Sequence, residues 1–367
     1  MNSENPARKT KVAVIGTVGV PACYGGFESL VDNLLDYTPQ DVEYTVFCSA
    51  KKYGDRLPSY KGARLVYLDR DANGAQSILY DFEGMRRSLG ADVMLILGVS
   101  GCIFLPYIRR HFAGKIITNI DGLEWKRAKW KRHARLLLKC SERMAVRYSD
   151  IIIGDNKGIT DYVAASYKIA SAQRVELIAY GGDHARAVRD DSLFEKYPFC
   201  HEPYAVTVCR IEPENNVHVI LDAFSRMGGM RLVVVVGNWQ KSAYGKELKE
   251  RYAECPNIRL LDSIYEPHEI NWLRSNAVVY VHGHSAGGTN PSLVEAMCLA
   301  LPVLAFDCVY NRATTEDGAL YWKSAEDIVS LVEGSAGRFV RVAQDMAEIA
   351  SRRYRWEVVA RQYNALW

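Results

Sequence analysis

Two glycine-rich stretches carry the residue types best suited to holding an anion. In Gly16-Thr-Val-Gly-Val-Pro-Ala-Cys-Tyr-Gly-Gly-Phe-Glu28, Gly25 and Gly26 stand where a helix is predicted to start. Glycine lets the backbone come close, and a helix N-terminus offers N–H groups and positive partial charge, so a diphosphate is a fitting guest. The pair by itself suits a ligand-free tight turn equally well. The second stretch, Gly287-Gly-Thr-Asn-Pro-Ser-Leu-Val-Glu-Ala-Met297, strengthens the anion reading. Gly287 and Gly288 follow a predicted strand and loop, Thr289 or Asn290 can cap, and Pro291 suits the first helical position. Glu295 falls among Leu293, Val294, Ala296 and Met297, where a carboxylate needs a hydroxyl or cation partner.

Other residues narrow the chemistry. His282 and His284 close a predicted strand without a third ligand at metal spacing, and read either as hydrogen-bonding groups or as core histidines. The nine cysteines lie far apart with no C-x-x-C pair, and Asp69-Arg-Asp71, the nearest approach to an Asp-x-Asp pair, falls in a predicted loop. No metal and no cofactor is expected. The dinucleotide fingerprint is missing: G-x-G-x-x-G does not follow the first strand, and the second ends at Cys48-Ser49 rather than at an acid for a ribose. An NAD enzyme is therefore disfavoured.

Short apolar runs position these loops. Residues 11–16, 43–48, 63–68, 92–97 and 114–119 read as buried parallel strands, separated by helix-length amphipathic segments such as 27–37 and 77–89. A second set follows at 204–209, 231–237, 258–261, 277–281 and 302–306. The pattern predicts an α/β chain of two Rossmann-like, doubly wound parallel-sheet domains. Their expected limits are 1–184 and 185–350, with 351–367 as a separate amphipathic helix. Residues 181–203, with Gly181, Gly182, Pro198, Pro203 and a charged stretch, read as linker and surface loop. The 367 residues suit two such cores.

Charge is uneven. Residues 1–180 hold 26 Lys and Arg against 19 Asp and Glu, and the remainder 20 against 24. Residues 124–147 concentrate nine Lys and Arg against two Glu, with Trp125, Lys126, Arg127, Trp130 and Lys131 at one end and Leu136 to Leu138 further on. Such a basic amphipathic segment suits anionic headgroups and the pyrophosphate of a lipid-linked saccharide acceptor, or a solvated helix with core-facing leucines. Nucleic acid is not an expected partner, because overall charge is modest and no nucleic-acid module accompanies the segment. No run reaches the roughly 18 apolar residues of a membrane span, and residues 1–10 lack the apolar core of a secretory signal. A cytoplasmic protein held peripherally at the inner face of the plasma membrane is the expectation.

The stretch around Glu295 resembles the donor motif of family 4 retaining glycosyltransferases, in which two glutamates eight positions apart bracket donor sugar and nucleotide ribose. Glu295 matches the second, ribose-binding glutamate, and Gly287 stands at the first. Cys209-Arg-Ile-Glu-Pro-Glu-Asn-Asn216 is similar to the family's phosphate-binding segment, with Arg210 matching its arginine and Asn215 at its lysine. Lys241 and Lys246 are the nearest replacements for that charge by sequence.

Further motifs at 19–28, 119–127, 179–184 and 282–291 resemble the bacterial rhamnosyltransferase-like branch that assembles surface polysaccharides. The resemblance implies a GT-B fold and a metal-independent retaining transfer in which the departing phosphate accepts the acceptor's proton. It further implies a nucleotide-sugar donor, dTDP-L-rhamnose in that branch, with a UDP-sugar as the alternative. In such a fold Asp121, Glu124 and Asp155 follow strands that line the acceptor side, each equally able to cap a helix. Tyr265 follows the strand whose backbone reads the base, and His284 lies near the sugar. The tail at 354–367 is similar to the GT-B helix that returns to the first domain. A sugar-nucleotide epimerase of this fold and a non-catalytic nucleotide-sugar-binding scaffold subunit are the competing readings.

Overall fold

A computed structural model describes residues 8–23, 25–120, 122–126, 131–227, 232–334 and 336–367. The chain divides into two units, one formed by Met1–Ala179 with Trp356–Trp367 and the other by Tyr180–Arg355.

The first unit is built on an eight-stranded sheet. Its strands are β1 (Thr10–Ile15), β2 (Val42–Ser49), β3 (Ser59–Tyr60), β4 (Ala63–Leu68), β5 (Val93–Leu97), β6 (Lys115–Asn119), β7 (Ile151–Gly154) and β8 (Arg174–Leu177). Their order is β3-β4-β2-β1-β5-β6-β7-β8, parallel except for the antiparallel β3–β4 edge. Val14 pairs with Val46 on one side and Leu95 on the other, and all of β5 is buried. Valine and isoleucine suit strands covered on both faces, where burial of their apolar surface outweighs the cost of ordering the chain. The helix Trp356–Asn364 packs in this unit: Asn119 Nδ2 donates to Tyr363 Oη at 2.8 Å, and Trp367 meets Tyr44 edge-on.

The second unit holds β9 (Tyr204–Val208), β10 (Leu232–Gly237), β11 (Ile258–Asp262), β12 (Val279–His282), β13 (Val303–Phe306) and β14 (Leu320–Trp322). The order β11-β10-β9-β12-β13-β14 is parallel throughout. It is the doubly wound arrangement in which successive crossovers reverse direction between β9 and β12. Loops leaving the carboxyl ends of strands at such a switch point diverge and open a crevice for a ligand. In the first unit the reversal lies between β1 and β5.

Some local expectations differ from the structure. The predicted linker at 181–203 carries the helix Leu193–Lys196 and a 3-10 turn at Pro198–His201, with Phe194 and Tyr197 against the buried Trp272. Aromatic burial, which punctuation by glycine and proline does not report, makes this stretch part of the second unit. β3, β8 and β14 escape periodicity because they are two, four and three residues long. The basic segment divides into a 3-10 turn at Glu124–Lys126 and a helix at Arg132–Tyr148. Among the described residues no helix is long and apolar enough to cross a membrane.

Candidate active site

The switch point of the second sheet gathers the residues with the best means of holding an anion. Arg210 lies just beyond β9, partly exposed, with the Glu212 carboxylate only at 3.9 Å. Its loop is fixed from two sides. Asn215 Nδ2 donates to the Arg210 carbonyl at 2.7 Å, and Ile211 N–H donates to Asn238 Oδ1 at 2.7 Å, beyond β10. Asn215 is buried, and its Oδ1 lies 2.7 Å from Nδ1 of the buried His284. The position that the resemblance aligns with a lysine therefore holds an amide that ties the loop after β9 to the loop after β12. Next to it, burial holds the His282 imidazole neutral, lowering its pKa to about 3, with His284 adding to the effect. His282 Nε2 has no hydrogen-bond partner among the described residues.

Beyond β12 the chain reaches Gly287, whose φ of +104° a side chain would rarely tolerate, then Gly288, the buried Thr289 and Asn290. Asn290 caps the helix Pro291–Cys298 by accepting from Ser292 N–H at 3.0 Å, and proline occupies the first turn. The helix therefore presents its N-terminal N–H groups at the same strand ends as Arg210, a favourable setting for phosphate oxygens.

Glu295 finds cations. Its Oε2 lies 2.5 Å from Arg274 Nη2 and its Oε1 3.2 Å from His184 Nε2. Burial opposes its charge, but Arg274 and His184 prevail and hold the carboxyl below the usual range. Gly182 presses against this helix: a Cβ there would stand 2.7 Å from the Val294 backbone. Lys246 is exposed in the helix Ala243–Tyr252, and Lys241 is exposed in the turn before it. That region is tied to the Arg210 loop through Asn238 and through Ser242 Oγ, which donates to the Ile211 carbonyl at 3.4 Å. Tyr265 is 72% exposed and borders a cavity of about 360 Å³ with Lys196, Tyr197, Ile264 and Glu269.

In the first unit Gly25, at φ +116°, precedes the helix Gly26–Leu35. The turn already holds an anion of its own. Glu28 accepts from Val18 N–H at 2.7 Å and from the Thr17 hydroxyl at 3.0 Å, and a Cβ on Gly25 would meet its Oε2 at 2.1 Å. Burial raises the Glu28 carboxyl despite these donors. Glu124 and Trp125 lie in the 3-10 turn, where the Lys139 ammonium stands 4.4 Å from the Trp125 ring centroid and also caps Tyr162 and Tyr167. Trp125 thus packs against its own protein rather than standing clear as an interfacial anchor. Asp155 follows β7, and its neighbour Asn156 caps the helix Lys157–Ser166. Lys131 is exposed at the start of the helix Arg132–Tyr148. Asp121, Arg127 and Trp130 lie outside the described residues, as does the side chain of Lys126.

Residues 190–334, which contain most of the candidate site, match the family described as glycosyl transferases group 1. The chain has the GT-B fold. Residues 9–183 match a domain of unknown function (DUF1972). None of the curated proteins matches the chain. Sucrose-phosphate synthase from Thermosynechococcus elongatus has the same fold, with a TM-score of 0.80 at 15% identity over 98% of both chains. HepE from Anabaena, solved in complex with UDP, gives 0.76 at 13% identity over 97% of this chain and 98% of that one. Trehalose-6-phosphate synthase OtsA gives 0.72 at 10% identity over 97% and 98%.

Two residues of the candidate site escape the motif reading. Arg274 directly follows the buried Trp272 and Leu273 in the helix Pro267–Ser275, and its burial is revealed only by Glu295 opposite it. His184 closes a quoted motif, yet only the fold brings it to Glu295, 111 positions away.

Proposed function

We propose that the protein is a retaining rhamnosyltransferase, moving L-rhamnose from dTDP-L-rhamnose onto a lipid-pyrophosphate-linked saccharide in bacterial surface-polysaccharide synthesis. The observation that carries the donor half is the convergence of Arg210 and the capped N-terminus of Pro291–Cys298 at the switch point of the second sheet. In the transfer, the bond from sugar C1 to the diphosphate oxygen breaks and an acceptor oxygen bonds to C1 on the same face. The acceptor's proton passes to the departing diphosphate. Arg210 and the helix N–H groups stabilise the charge that develops there. Glu295 receives a hydroxyl of the nucleotide's sugar, and Lys246 or Lys241 supplies the charge that Asn215 lacks. Glu124 and Asp155, with Asp121, serve the acceptor.

A UDP-sugar donor is the second reading, favoured by the HepE structures solved with UDP and with UDP-glucose. The test is a comparison of dTDP-L-rhamnose, UDP-glucose and GDP-mannose by thermal shift, then by mass spectrometry of products with a lipid-linked saccharide. Selective stabilisation by dTDP-L-rhamnose and acceptor-dependent consumption are expected. Replacing Arg210 by alanine should lower turnover by about 10²–10³-fold. Consumption without acceptor would point to epimerisation instead. Tight binding with no transfer would point to a scaffold, and no response to any donor would overturn the reading.

A further inference from the structure

The carboxylate of Glu295 is unequally engaged. Oε2 is held at 2.5 Å by Arg274, whose side chain is 5% exposed, while Oε1 meets His184, 38% exposed, at the longer distance of 3.2 Å. Arg274 has little else to hold it. Its Nη1 reaches Asn271 Oδ1 only at 3.3 Å, and its Nε is buried without a partner among the described residues. Releasing Glu295 would strand a buried guanidinium, a costly state, so this ion pair persists when a ligand arrives.

A carboxylate with both oxygens available can receive the two vicinal hydroxyls of a ribose, one on each oxygen. Here Oε2 is held closely by the buried Arg274, while Oε1 has only the longer contact to the more exposed His184, so the more accessible edge is the His184 side. We propose that Arg274 is a specificity-determining residue that, by occupying Oε2 of Glu295, fits the donor site to a 2′-deoxyribonucleotide. Oε1, the less tightly held oxygen beside the half-exposed His184, matches the lone 3′-hydroxyl of a deoxyribose. A ribose would bring a second hydroxyl that must give up water without gaining the carboxylate as acceptor. The inference rests on the reading of Glu295 as the contact to the nucleotide's sugar. It adds the residue that chooses between the two donor classes.

Calorimetric titration of the full chain with UDP and with 2′-deoxy-UDP, which differ only at the 2′-hydroxyl, tests it. Wild type should bind 2′-deoxy-UDP at least as tightly as UDP. Arg274→Gln should shift the ratio toward UDP by about tenfold, the worth of one hydrogen bond to a charged acceptor. Arg274→Lys, which keeps the buried charge, should retain the wild-type ratio. A wild-type preference for UDP of about tenfold or more overturns the proposal without recourse to any variant. So does an unchanged ratio in a folded Arg274→Gln protein whose Glu295→Gln counterpart binds both nucleotides more weakly. If Glu295→Gln leaves both affinities unaltered, the assignment of Glu295 to the sugar fails first and this inference with it. Absence of binding to either nucleotide overturns the donor site itself.

Discussion

Asp81 shows how a single buried acid gives a fold its pH dependence. It is 3% exposed, accepts from Gly101 N–H at 3.0 Å, and burial lifts its carboxyl to about 8. The folded chain keeps this proton between the usual range near 3.8 and about 8, whereas the unfolded chain releases it. Stability therefore falls as pH rises through that window. Asp81→Asn should remove the slope, gaining on wild type by up to about 1.4 kcal/mol per pH unit. Urea unfolding at pH 5 and pH 8 checks it, and the same difference at both values would refute it. Other residues at this scale belong to the candidate site. The glycines and Asn290 of the second site could be read from their order, because cap, proline and glycine preferences are local. That Asn215 is a buried tie to His284 could not, since its partner lies 69 positions away.

Among the elements, the helix Arg132–Tyr148 has an outward face of unusual character. Leu136 is 67% and Leu137 38% exposed, flanked by the exposed Arg132, His133 and Arg143. Leu138 and Val146 face the core instead. The apolar and basic side chains lie together on one side, as peripheral attachment to an anionic bilayer requires. Vesicles containing phosphatidylglycerol should carry the protein upward in a flotation gradient at low salt. Leu136→Ser with Leu137→Ser should abolish this at small cost in stability, since Leu136 is mostly exposed and Leu137 lies outside the core. Flotation unaffected by the pair of changes would place the contact elsewhere. The clustering of Lys and Arg was visible in the sequence. Which leucines face outward was not, because it depends on the helix's rotation against the sheet.

On the scale of the whole molecule, the chain leaves its first unit at Ala179 and returns to it at Trp356. The returning helix is a buried part of that unit, with Trp356, Val359 and Tyr363 nearly inaccessible and Tyr363 bonded to Asn119 at the end of β6. Removing residues 356–367 should therefore expose β2 and β6 to faster amide hydrogen exchange while leaving the second sheet protected. Equal loss of protection in both sheets would show that the tail supports the entire molecule. The tail's amphipathic pattern is readable in sequence. Its partners Tyr44 and Asn119 lie more than 240 positions away and are not.

What the sequence determined by itself was local and periodic. Runs of β-branched residues fixed most strands of the two sheets, and glycines with a cap and proline fixed the start of the helix Pro291–Cys298, because each depends on near neighbours along the chain. Only tertiary structure decided the partners. Gly25 and the Val18 N–H close on the protein's own Glu28 carboxylate, and Glu295 lies between Arg274 and His184. Burial and charge pairing join residues that are distant in sequence, and they decide which groups of a glycine-rich turn or a buried acid remain for a ligand.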